Sequence, residues 1–156
     1  MTWRGNKTTA VVMLAVALVI AYVAARSFLV MAQNELIVRG PGVSEVRLLS
    51  EYFSKLKGSP GDTEVYILRG SKPGGRVLVL GGTHPNEPSG YLSAILLIEN
   101  AQPQAGELWV IPRANRPGFT HNDPQEGSPQ GFIITTPWGE RHLRYGSRAT
   151  NPIYQW

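Results

Sequence analysis

Cysteine is absent from the 156-residue chain, which excludes a disulfide framework and any thiolate metal site. Charge is sparse, at 17% of residues, while 42% are apolar; that is the composition of neither a disordered chain nor a coiled coil. Acids are missing altogether from the first 32 positions, which hold Arg4, Lys7 and Arg26 of the 15 basic residues. The remainder carries 12 basic against 11 acidic residues. The net charge of +4 therefore sits mainly at the N-terminus, and no nucleic-acid partner is expected. Three motifs are also lacking. Without Gly-x-Ser-x-Gly there is no nucleophile elbow; without Gly-Lys-Ser/Thr the pair Gly81-Gly82 is not a phosphate loop; and there is no His-Glu-x-x-His zinc helix.

What is present opens with residues 8–25, which are 18 uncharged positions behind Arg4 and Lys7. Arg26 interrupts the run, and apolar residues continue to Ala32. A spanning helix needs roughly 20 apolar residues, and a signal-peptide core roughly 7–15. Arg26 lies near one end and can snorkel to the headgroups, lengthening the span. Val23-Ala24-Ala25 and Val30-Met31-Ala32 also have the small-residue pattern of a cleavage site. A retained signal anchor is favoured over a cleaved signal. The leading positive charges place the N-terminus in the cytoplasm and residues 33–156 on the exported side.

Residues 33–44, with Gly40-Pro41-Gly42, read as a linker. Ser44 as N-cap, with Val46, Leu49, Tyr52, Phe53 and Leu56 on one face, predicts a helix ending at Gly58. Residues 64–69 predict a strand. Residues 76–80 predict a second one, central in its sheet because both of its faces are apolar. A polar loop over 81–90, a helix over 91–100 and a strand over 106–111 complete a βαβ unit with a parallel pair. Beyond Arg113 the chain is punctuated by prolines, and 132–136 and 141–145 predict a hairpin across residues 137–140.

The loop at 81–90 carries the chemistry, because ligands in open α/β sheets bind at the carboxyl ends of strands. It holds His84 and Glu87, an imidazole and a carboxylate at i and i+3, both suited to Zn²⁺. Gly81 and Gly82 allow a sharp bend, while Pro85 and Pro88 stiffen the loop and keep the pair off a regular helix. The plain alternative is a polar loop in which Glu87 caps the following helix.

The stretch Leu78-Val79-Leu80-Gly81-Gly82-Thr83-His84-Pro85-Asn86-Glu87-Pro88-Ser89-Gly90 resembles the zinc-binding segment of the metallocarboxypeptidase superfamily. It looks most like the succinylglutamate desuccinylase/aspartoacylase branch. The segment Trp109-Val110-Ile111-Pro112-Arg113-Ala114-Asn115 is similar to the strand and turn that follow there. The resemblance implies an α/β, carboxypeptidase-like fold: a partial mixed sheet with covering helices over residues 45–156, behind a transmembrane or signal helix over 1–32 and the linker 33–44. It implies His84 and Glu87 as the first two zinc ligands and Asn115-Arg116 as a substrate-binding pair. It also implies a third histidine ligand and a general-base glutamate from further along, beyond Trp156. The activity implied is zinc-dependent hydrolysis of an amide bond next to a carboxylate, in a peptide or N-acyl amino acid. The alternative is a truncated, inactive N-terminal fragment acting as an anchored interaction module. His121 and His142 lie too early to match the third ligand. A chain with two ligands is expected to bind Zn²⁺ weakly, to hydrolyse no faster than a His84→Ala control, and to leave a sheet edge open.

Overall fold

The computed structural model describes residues 7–31, 35–122 and 131–154. The chain divides into two compact units, Met1–Gln33 and Asn34–Trp156.

The first unit holds α1 (Lys7–Met31), 25 residues. At about 1.5 Å per residue it is about 37 Å long, against a hydrocarbon core of about 30 Å. None of its apolar stretch Lys7–Val30 is buried. This helix is long and apolar enough to cross a membrane or to be a signal sequence.

The second unit is built on a four-stranded mixed sheet of β1 (Val43–Leu48), β2 (Glu64–Arg69), β3 (Lys72–Leu80) and β4 (Ala105–Ile111), in the order β1-β2-β4-β3. The strands β1, β2 and β4 pair antiparallel; β3 and β4 pair parallel, and the crossover between them is α2 (Pro88–Asn100). Tyr91, Ala94, Ile95 and Ile98 recur at helical spacing and are buried. They meet Tyr66 and Leu68 of β2 and Val110 of β4, with Ile37, Phe119 and Leu143 closing the core. The opposite sheet face holds a smaller cluster, Val65, Ile67 and Ile111, under Leu49 and Trp109. A separate hairpin joins β5 (Gly131–Thr136) to β6 (Gly139–Arg144), where the sequence predicts one.

Two predicted elements differ. The helix expected from Ser44 to Leu56 is instead β1, followed by single 3₁₀ turns at Leu49–Glu51 and Ser54–Leu56. The reason is tertiary. Val43 and Val46 pack against the core while pairing with β2, and strand pairing of this kind overrides local periodicity. The Ser44 hydroxyl, expected to cap a helix, accepts a hydrogen bond from the Arg69 amide at 3.2 Å. The strand expected to be central, β3, pairs only with β4 among the described residues. Its Val77, Leu78 and Leu80 are 55–58% exposed. Apolar residues on both faces mark a strand that can be covered on both sides, but they do not supply the cover. The stretch read as linker is also partly folded in. Ile37 joins the core, and Gly40 and Gly42 lie against the carbonyls of Glu99 and Ala101 at the end of α2, where a Cβ would not fit.

Candidate metal-ligand turn

The turn that carries His84 and Glu87 is held from three sides. First, the loops after β3 and β4 are zipped together: Gly81 N–H donates to Ile111 O at 2.8 Å, Ala114 N–H to Gly81 O at 2.8 Å, and Asn115 N–H to Gly82 O at 3.1 Å. Gly82 has φ +64°, and a Cβ there would meet the Pro112 carbonyl and the Phe119 ring, so only glycine suits the position. At Gly81 a Cβ would strike that of Ala94 on α2, so glycine also sets the close approach of strand end and helix. Second, Pro85 is fully buried, and its carbonyl accepts from Gly146 N–H at 3.2 Å. Third, Pro88 starts α2, where its missing N–H costs nothing.

Within this frame Glu87 N–H donates to His84 O at 2.9 Å. That closes a β-turn with Pro85 at its second position, a favoured place for proline. Such a turn brings the side chains at i and i+3 to the same side. His84 Nδ1 and Glu87 Oε1 stand 3.4 Å apart, 39% and 55% exposed. Glu87 is the N-cap of α2 but makes no side-chain cap bond, so its carboxylate is turned to His84 rather than to the helix end. Between them Asn86 Oδ1 is buried with no hydrogen-bond partner among the described residues. Arg148 brings a guanidinium to 3.7 Å from Glu87. Nothing in the sequence pattern singles Arg148 out, because it reaches the turn only through the fold of residues 146–148 onto Pro85 and Gly118.

Asn115 and Arg116 are placed differently from one another. Asn115 stands beside the turn through Gly82, and its Oδ1 accepts from Gly118 N–H at 3.2 Å and from the Thr150 hydroxyl at 3.1 Å. Arg116 points its Nη1 at the backbone carbonyls of Asp62, 3.0 Å, and Pro60, 3.5 Å, and so ties down the loop before β2. His121 has a buried Nδ1 without a hydrogen-bond partner among the described residues. His142 lies on β6, 74% exposed, 3.9 Å from Glu140. Among the described residues no group of three His, Cys, Asp or Glu is close enough to hold one metal ion.

Compared with protein-family models, with curated proteins and with solved structures, the chain finds no significant match in any of the three.

Proposed function

We propose that the chain is a membrane-anchored, exported zinc hydrolase of carboxypeptidase or N-acyl amino acid deacylase type, with His84 and Glu87 as metal ligands. The observation that carries this reading is the 3.4 Å between His84 Nδ1 and Glu87 Oε1 on a stiffened turn at the carboxyl end of β3. A tetrahedral zinc with bonds of about 2.0–2.1 Å holds two of its ligand atoms about 3.3–3.4 Å apart. The donor set, one imidazole and one carboxylate, also suits that ion. When bound, zinc lowers the pKa of a coordinated water to about 7 and polarises a scissile carbonyl.

The protein's own share is positional. The Gly81–Ile111 and Gly82–Asn115 hydrogen bonds fix the turn against the sheet, so the two ligands are preorganised at a solvent-open face. Asn115 is carried to the same place. Arg148, beside Glu87, is a cation suited to a substrate carboxylate; Arg116 serves the loop at 60–62 through its Nη1. The described residues supply two of the three protein ligands that a catalytic zinc site uses.

The test is the effect of Zn²⁺ on thermal unfolding of the full chain, since a ligand that binds the native state raises its melting temperature. A zinc-induced rise in the wild type that His84→Ala and Glu87→Ala both lack supports the reading. Equal shifts in all three proteins, or none in any, contradict it. Such a result favours the second reading, an anchored interaction module, for which the open apolar edge of β3 speaks.

A further inference from the structure

Three walls enclose a groove on the second unit, on the far side of α2 from the sheet. The stretch 35–38 alternates: Ile37 points into the core while Leu36 and Val38 point out, 82% and 57% exposed, as an extended chain with period two requires. The outer side of α2 contributes Leu96, 57% exposed, and the tip of the β5–β6 hairpin contributes Trp138, 92% exposed. All four line one cavity of about 790 Å³. Glu99 of α2 fixes the walls to each other: Oε1 accepts from Val38 N–H at 3.3 Å and Oε2 from Arg141 Nη1 at 2.8 Å. The groove is thus a held shape, and its arginine is spent on Glu99. Arg141 is paired with Glu99, and His142 stands beside Glu140.

We infer that this groove faces the lipid bilayer, with Trp138 and Leu36 seated at the boundary between headgroups and acyl chains. The inference rests on the anchor part of the reading above and not on zinc. Two observations choose the bilayer over other occupants. Leu36 follows Met31, the last residue of α1, by five positions, and five residues reach at most about 18 Å. If α1 spans a membrane, the groove's lip cannot leave its neighbourhood. The chemistry also matches. A tryptophan that is almost wholly exposed beside aliphatic side chains is costly in water and is the residue enriched at membrane interfaces. Because Arg141 is spent on Glu99 and no lysine lines the groove, no cation is offered to headgroup phosphates and the attachment is apolar. It is therefore expected to be insensitive to salt and to the fraction of anionic lipid.

The absence of native cysteine makes the test clean. Full-length Trp138→Cys, Leu36→Cys, Val16→Cys and Lys55→Cys chains, each carrying one environment-sensitive fluorophore, are placed singly in phosphatidylcholine nanodiscs with and without nitroxide-labelled lipid. Val16 reports the helix, and Lys55 is exposed and outside the groove. The expected result is lipid quenching at 16, 36 and 138 at least threefold that at 55. It should be unchanged between about 50 and 500 mM salt and on adding phosphatidylglycerol. Quenching at 16 alone overturns the groove's membrane contact and leaves the anchor standing; no quenching at 16 overturns the anchor. Protection of position 138 that appears only with two chains per disc, without lipid quenching, assigns the groove to a second copy and overturns the inference.

Discussion

The Arg113 guanidinium lies 2.8 Å from the Glu35 carboxylate, and the two side chains are only 3% and 5% exposed. Arg113 also donates to the Glu35 carbonyl at 3.0 Å. A single arginine after β4 thereby holds the chain just before Ile37 in place. Removing one partner of a buried pair costs up to about 3–5 kcal/mol; Glu64, 3.9 Å from Arg113 Nη1, places Glu35→Gln toward the lower end. Glu35→Gln is expected to lose stability on that scale in denaturant unfolding. The double variant Glu35→Leu/Arg113→Met is expected to lose less than Glu35→Gln alone. A loss below about 1 kcal/mol for Glu35→Gln would show that the pair is not holding the segment.

A second ion network crosses the sheet, and it titrates. Glu107 accepts from the Trp109 indole at 2.9 Å, Arg76 at 2.8 Å and Arg69 at 3.1 Å, and Arg76 stacks over the Trp109 ring. These bonds, the indole's first, hold the Glu107 carboxyl below its usual 4.5. Glu45, bonded to Arg47 and Arg69, is lowered likewise. A depressed folded-state pKa means that the unfolded chain takes up protons first as pH falls. The stabilisation is complete above pH 4.5 and is lost as pH drops through the lowered folded-state values. Unfolding midpoints measured from pH 7 to pH 3 are expected to fall below that point. Glu107→Gln is expected to flatten part of the fall, and a Glu107→Gln profile parallel to wild type would exclude its role.

Gly82→Ala tests the frame of the turn. It places a Cβ at φ +64° against the Phe119 ring and the Pro112 carbonyl. A cost of about 1–3 kcal/mol is expected from the backbone and the clash together. Ala at Gly58, which also has positive φ but nothing within 4 Å, is expected to cost less. Equal unfolding midpoints for the two variants would contradict the close packing of Gly82.

Much of the fold was legible because local and tertiary signals agree. The strand at 64–69, the parallel pair around α2 and the hairpin all have apolar patterns bounded by glycine or proline. The turn at 84–87 was legible for the same reason, since proline at its second position and glycines before it favour one local shape. The stretch 44–56 was misread because its apolar residues fall at helical spacing, while its pairing with β2 is a long-range fact. The edge position of β3 was hidden because a strand's own residues do not state how many neighbours it has. Arg148 and Glu35 were invisible because each gains its partner from more than 60 residues away.

Topology has its own test. The proposed orientation, with the N-terminus in the cytoplasm and the second unit outside, rests on Arg4 and Lys7 ahead of the uncharged run. Alkaline phosphatase fused after residue 60 is expected to be active. A stable but inactive fusion would reverse the orientation.

The central claim is that His84 and Glu87 act together on one metal ion. The dissociation constant for Zn²⁺ of the full chain, measured by competition with a chromogenic chelator, tests it most directly. With the His84–Glu87 pair and no group of three His, Cys, Asp or Glu among the described residues, binding is expected to be weak beside that of a closed site. His84→Ala and Glu87→Gln are each expected to weaken it at least about tenfold, a difference of about 1.4 kcal/mol, while the fold stays intact by circular dichroism. The same dissociation constant for all three folded proteins would contradict the claim.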